Sequence, residues 1–326
     1  ITLTVNVSAV NQIKPMPDGE ITATPITYGD TLSKSKISGK MKDPDTGYAV
    51  NGTFTWVDGT VKPDAGSNNA TWTFTPDASY GGKYTTNNGT ATVTVNRKTV
   101  TVSGITAKDK AYDGNTNVVL DYSAVTLGGV LKNDTLTVTA TGTLESAGVG
   151  EQKVTISDLT LGGASAANYV LAESGNQSET TATITAKEVT ITITSKGGTY
   201  GSVVAAAAKL TGAVDGDNVP VTLTYTGNNY SSATVPVNVG SYTVTASIAN
   251  SNYTLTGKTT ADFVITPKAV TVSGITAKDK VYDGNTNVVL DYSKVVLDGI
   301  LENDTLTVTA TGAWESAGVG EQKVTI

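Results

Sequence analysis

Neither cysteine nor histidine occurs among the 326 residues, and Arg97 is the single arginine. Without cysteine there is no disulfide framework and no thiolate chemistry, so the modules must be held by their cores. Without histidine as well, the usual nucleophile and base pairs cannot be assembled. No glycine-rich phosphate loop sits between a strand and a helix, and no cofactor is expected. Paired carboxylates remain the one catalytic route, and a repeated module would need a repeated acid pair in a cleft. The chain is therefore expected not to be an enzyme. Its 22 basic residues are scattered among 29 acidic ones, for a net charge of -7. Phosphate binding needs clustered cations, so nucleic acid is excluded as a partner, and the mild acidity reads as solubility. No apolar run approaches the roughly 18 residues of a membrane span, so no membrane insertion is expected in this segment. No signal peptide precedes Ile1, so targeting and anchoring segments of an exported protein would lie outside this sequence.

What is abundant belongs to strands and turns. Threonine makes up roughly a sixth of the chain, and there are 34 glycines. The longest helix-like stretch, SVVAAAAKLTGA from Ser202, is too short to organise a domain and is expected to form one or two helical turns on a connection. The fold class expected is all-β.

The strongest signal is internal repetition. Shifted by 170 residues, 98–156 aligns with 268–326, and nine positions in that window differ, among them Ala111/Val281 and Leu144/Trp314. Core-like and surface-like positions are kept alike, which marks a copied module rather than a site kept by its chemistry. Weaker repeats lie elsewhere. LGGVLKNDTLTVTATG from Leu127 parallels LTGAVDGDNVPVTLTYTG from Leu210, and TYGDTLSKSKISG from Thr27 parallels TYGSVVAAAAKLTG from Thr199. Order is kept while loop lengths vary, as in divergent copies of one fold.

The copies restart near Lys98, Lys187 and Lys268, each lysine flanked by runs that alternate apolar and polar residues. The organisation read from this has five parts: 1–14, a closing strand of a preceding module or a linker; 15–97; 98–187; 188–267; and 268–326, an incomplete second copy of 98–187. No Gly/Ser-rich linker separates them, which predicts stiff joints. Modules of this length, with short strands between Gly, Asn, Asp and Pro signals, suggest immunoglobulin-like β-sandwiches in an elongated array. Each would be roughly 35–40 Å long at about 3.3 Å per strand residue.

KDKAYDGNTNVVLDYS together with GVGEQKVTI resembles the YDG repeat family. TYGSVVAAAAKLTGAVDGD with NVGSYTVTASIANSNYTL and ADFVITPK is similar to the MBG family, and the first module resembles a related repeat with the same TYG opening. The resemblance implies a large bacterial surface protein, adhesin-like, with a stalk of tandem β-sandwiches, and it implies no particular ligand or reaction.

The residues singled out are turn motifs: Tyr112, Asp113 and Gly114, repeated as Tyr282, Asp283 and Gly284, and the TYG pairs Tyr28/Gly29 and Tyr200/Gly201. Asp-Gly between strand-like runs is a turn signal, with Gly at positive φ and Asp bonding nearby backbone. Calcium at Asp43 and Asp45, or at Asp215 and Asp217, is weighed against polar turns. Two carboxylates outside a twelve-residue loop pattern bind weakly, so no metal site is assigned. A Lys–Asn cross-link at Lys98, Lys187 or Lys268 is weighed against a solvated lysine that discourages edge pairing, and the latter is preferred. The Thr-x-Thr runs are read as exposed strand faces rather than ice-binding ladders, because a twisted sandwich is not flat. Trp56 with Phe54 and Trp72 with Phe74 are expected to build the first core. Trp314, replacing Leu144, is expected at a tolerant edge site.

The function expected is a non-enzymatic stalk or spacer on the bacterial cell surface, outside the cell, projecting a distal binding region. The alternatives are a self-assembling fibre subunit completed by donor-strand exchange, and glycan or host-protein binding by the modules themselves. The partners expected are neighbouring modules of the same polypeptide, with other copies end to end, glycan or a host surface protein under the alternatives.

Overall fold

The computed structural model describes residues 11–227 and 229–326. The segment 1–10, which holds most of the expected closing strand, lies outside the described residues. The chain divides into two compact units with the boundary between Thr185 and Ala186. The fold is all-β, made of sandwich-like modules.

In the first unit, Ile13 forms a parallel bridge with Tyr84, and Met16–Pro17 pairs antiparallel with Met41–Lys42. Ile13, placed by the sequence in the segment before the module, is thus bonded into it. Opposite lies a sheet in the order Ile26–Thr27, Asn87–Asn96, Gly66–Pro76, Gly52–Trp56. Its strands alternate threonine outward with apolar residues inward. Trp72 and Phe74 are 2% and 1% exposed and pack with Met41, Val50 and Ala91. Phe54 meets Trp72 edge-on, with ring centroids 5.1 Å apart. Trp56 is half-buried and donates its indole N–H to Ser35 O at 2.8 Å. Gly89, opposite Trp72, has no room for a side chain: an added Cβ would lie 2.4 Å from the indole ring.

The second module of this unit starts one residue later. Lys98–Ser103 pairs antiparallel with Thr126–Gly128 and parallel with Tyr169–Leu171. The facing sheet has the order Lys110–Ala111, Glu179–Thr185, Gly150–Gly162, Thr137–Leu144, Asn117–Val118. Val100, Val102, Ile105, Val154 and Ile184, each at most 1% exposed, lie on these strands or next to them.

The second unit repeats this plan. Lys187–Thr194 pairs antiparallel with Ala207–Thr211 and parallel with Tyr253–Thr256. Its larger sheet buries Tyr225, Tyr242, Val244, Phe263 and Ile265. The alanine-rich stretch from Ser202 is not helical. It forms the strands Ser202–Val204 and Ala207–Thr211. Alanine favours helix, but about 1 kcal/mol or less per residue is overridden when both neighbouring strands offer a ladder. The copy 268–326 retains the pairs Thr271–Ser273 with Val296–Asp298, Thr276–Ala277 with Leu290–Asp291, and Ala313–Trp314 with Val324–Thr325.

Candidate functional site at the module joints

In three modules the singled-out tyrosine follows the same short piece of backbone. Ile26–Thr27 pairs parallel with Val95–Asn96, the end of the module's last strand, and Tyr28 N–H then donates to Asn96 O at 2.9 Å. Lys110–Ala111 pairs parallel with Ile184–Thr185, and Tyr112 N–H donates to Thr185 O at 2.9 Å. Gly198–Thr199 pairs parallel with Ile265–Thr266, and Tyr200 N–H donates to Thr266 O at 2.8 Å. The TYG and YDG motifs are therefore one structural signal, a tyrosine held at the exit of its module.

Two of these tyrosines are clasped by the following module. Tyr28 Oη donates to Asp134 Oδ1 at 3.3 Å, and Tyr200 Oη donates to Asp304 Oδ1 at 2.9 Å. Each neighbouring glycine lies against a leucine three residues before that aspartate. A Cβ on Gly29 would fall 2.6 Å from Leu131 Cδ1, and one on Gly201 would fall 2.4 Å from Leu301 Cδ1. Both glycines also have positive φ, +94° and +78°, which L side chains resist. The receiving turn closes on itself, Asp134 N–H donating to Leu131 O and Asp304 N–H to Leu301 O.

At the first joint the aspartate is shared. Tyr169 Oη donates to Asp134 Oδ2 at 2.5 Å and accepts from Leu131 N–H at 2.9 Å. Its ring meets Tyr28 edge-on at 5.4 Å. Beside it, Ala65 N–H donates to Asn168 Oδ1 at 2.8 Å, and Asn168 Nδ2 donates to Asp64 Oδ1 at 2.9 Å. The connections are short: Arg97 alone separates the strands Asn87–Asn96 and Lys98–Ser103, and 267–270 separate Thr260–Thr266 from Thr271–Ser273.

Burial, then the bond to the Asp134 carboxylate, pushes the Tyr169 phenol up to about 12 and raises Tyr28 by the same causes. An unfolded tyrosine titrates near 10, so the folded state holds its proton where the unfolded state has lost it. The contribution of the clasp is thus fully present below about pH 10 and is lost as pH rises toward 12. Stability of the first unit should hold up to about pH 10 and fall above it, with a shallower fall in Tyr169→Phe. Thermal melting against pH, with tyrosinate absorbance alongside, checks this.

The YDG turn is built around a lysine. Lys110 Nζ meets Asp113 Oδ1 at 2.6 Å, Asn115 Oδ1 at 3.0 Å, Asn115 O at 3.2 Å and Asn117 O at 2.8 Å. Lys280 repeats this with Asp283 and both Asn285 oxygens at 2.7–3.0 Å. Asp113 Oδ1 also accepts from Asn115 N–H, and Gly114 takes φ +77°. The ammonium sits where a turn rich in oxygens would hold a cation. Burial is the largest single influence on the Asp113 carboxyl and raises it, but the bonds from Lys110 and Asn115 and the Lys110 charge together outweigh it, and the group lies below the usual range. Asp283 is lowered, chiefly by Lys280. Tyr112 is buried, whereas Tyr282 is two-thirds exposed.

The other acids singled out serve turns. Asp43 is fully buried and accepts from Tyr84 Oη at 2.8 Å, Asp45 N–H at 2.9 Å, Thr46 N–H at 3.1 Å and Lys83 Nζ at 3.3 Å. The Tyr84 bond leads in holding it well below the carboxylate range. Asp217 accepts from Tyr253 Oη at 2.5 Å, and its N–H closes a turn on Val214 O. Among the described residues no three acidic, histidine or cysteine side chains group as metal ligands. Lys98 and Lys187 join the ladders through their backbones, and Lys268 is exposed between strands. Trp314 is half-buried, and its counterpart Leu144 in the first copy is 2% exposed and inward-facing.

The sequence matches the YDG domain over residues 96–181 and 266–326, and the MBG domain over 199–269. The chain carries two YDG domains and an MBG domain. Domains of both kinds are typical of extracellular proteins. No curated protein matches the chain in sequence. Among solved structures, Drosophila N-cadherin EC1-4 is 9% identical, with 80% of this chain and 76% of that one covered and a TM-score of 0.29. The surface layer protein SbsC, domains 4-9, is 14% identical over 83% and 50% of the two chains, with a TM-score of 0.16. In the YDG and MBG domains the exit tyrosine, the lysine-centred turn and the Leu-x-x-Asp acceptor all do structural work. Among the described residues no helix is long and apolar enough to cross a membrane.

Proposed function

We propose that the chain is a non-enzymatic stalk segment of a bacterial surface adhesin, its YDG and MBG domains serving as stiff spacers that project a distal binding region. The observation that carries this reading is the repeated clasp. Tyr28/Gly29 on Asp134/Leu131 and Tyr200/Gly201 on Asp304/Leu301 use the same residues in the same roles. A joint made by one carboxylate bond, one close glycine contact and almost no linker restricts bending, which is what reach requires and what a ligand cleft does not.

The absence of cysteine makes the test direct, since spin labels can be placed without background sites. With Val57→Cys and Val119→Cys, exposed at 60% and 65%, double electron–electron resonance across the first joint should give one narrow distance distribution. A broad distribution would sink the stiff-stalk reading.

A further inference from the structure

The modules supply an internal comparison of sheet edges. In the module 98–187 the strand Thr137–Leu144 is covered on its outer side by Asn117–Val118, which pairs with it antiparallel, and Leu144 N–H donates to Thr116 O at 2.8 Å. In the module 188–267 the strand at the same place in its sheet, Val221–Gly227, is covered by Tyr230–Ser232, again antiparallel. In the module 15–97 that place is taken by Gly52–Trp56, and among the described residues no strand pairs with its outer side. The register says which groups are left over. Asp77 N–H donates to Asn51 O and Val57 N–H to Thr71 O, so the odd-numbered residues from 51 to 57 bond to the strand Gly66–Pro76. The N–H and C=O groups of Gly52, Phe54 and Trp56 therefore point the other way, to the open edge.

Sheet edges are commonly blunted by charge, proline or a bulge. GTFTW has no charge and no proline, and its register with 72–76 runs without a bulge. The edge opens on a groove whose apolar floor is Ile37, Phe54 and Phe74 and whose other side is formed by the segment 33–41. The charge on that side points to an occupant. Lys36 and Lys40 line the groove and are exposed. Their neighbours Lys34 and Lys42 are paired with Asp30 and Asp18 at 3.8 and 2.9 Å, whereas Lys36 and Lys40 have no ion pair among the described residues. The acid that lines the groove, Asp77, leaves the balance positive on a chain whose net charge is -7.

We propose that the open edge of Gly52–Trp56 is a docking site for an extended acidic segment of a partner protein. The segment adds antiparallel to the edge, as Asn117–Val118 and Tyr230–Ser232 do on the sister edges. It sets alternate apolar side chains against Ile37 and Phe54, and its carboxylates meet Lys36 and Lys40. Strand addition of this kind takes affinity from the ladder and specificity from alternate side chains. A second copy of the chain is the poorer fit, because it would bring the same two lysines to the contact. The inference goes beyond the stalk reading and does not depend on it.

The test titrates the 326-residue chain with the capped synthetic peptide EVTVTVE, and with KVTVTVK as its charge-reversed control. The expected result is saturable one-to-one binding of the acidic peptide, slowed exchange of the Gly52, Phe54 and Trp56 amides, and affinity on the order of tenfold lower for the lysine peptide. The double variant Lys36→Glu/Lys40→Glu, changed at two exposed positions, should invert that preference. Absence of saturable binding overturns the proposal. So does binding that leaves the three amides unprotected, or that is equal for the two peptides. Amides already slow in the free chain, or slowed by chain concentration alone, would overturn it as well, since the occupant would then be a segment of this chain or a second copy.

Discussion

Asp134→Ala is expected to lower the stability of the first unit by about 2–3 kcal/mol, most of it from the short bond to the buried Tyr169 and under about 1 kcal/mol from the longer bond to Tyr28. It should also broaden the distance distribution measured between labels at 57 and 119. The carboxylate is the shared acceptor of Tyr28 and Tyr169, and Tyr169 is only 2% exposed, so its phenol cannot turn to water when the acceptor is gone. Asp134→Asn keeps an acceptor oxygen and should lose about half as much. Tyr28→Phe gives up only the 3.3 Å bond and should cost under about 1 kcal/mol. Chemical denaturation and the label distances read the two effects separately. Unchanged values for both in Asp134→Ala would show that the clasp holds nothing.

Lys110→Met is expected to destabilise the first YDG domain by about 2 kcal/mol. The methionine keeps the unbranched apolar stem, one atom shorter, but leaves Asp113 and the oxygens of Asn115 and Asn117 facing one another without the ammonium between them. The Lys110 side chain is 17% exposed, so water replaces it only in part. Lys110→Arg should not rescue, because a planar guanidinium cannot sit at the centre of oxygens that converge from several directions. Lys108→Met, at an exposed position two residues earlier, should stay within about 0.5 kcal/mol of the parent. Equal melting of the Lys110 and Lys108 variants would remove the lysine from the turn's support.

The strands and turns were legible because their causes are local. Alternation in TWTF put Trp72 and Phe74 inward, and Asp-Gly gave a turn with Gly114 at positive φ. The alanine run from Ser202 misled because its state is decided by ladders to 190–194 and 197–199, which composition does not show. The joints were legible only as short connections. Tyr28 and Asp134 are 106 residues apart, and nothing local marks either as the other's partner. A trace was present nonetheless: Leu-x-x-Asp occurs at 131–134 and again at 301–304, each after a Tyr-Gly in the module before. Lys110 was likewise visible as a fixed neighbour of the YDG turn, at the same offset in both copies, but its role needed the geometry.

The parallel pairing of each exit tyrosine's segment with its module's last strand has a mechanical side. Lys98–Val100 pairs parallel with Tyr169–Leu171, and Lys110–Ala111 with Ile184–Thr185, just before the chain passes on. A pull on the two ends of such a module slides these strands past each other instead of peeling them open, so their hydrogen bonds bear the load together and not one after another. Tension entering through Lys98 and leaving through Thr185 thus meets the ladders in shear, the direction in which a sheet yields least.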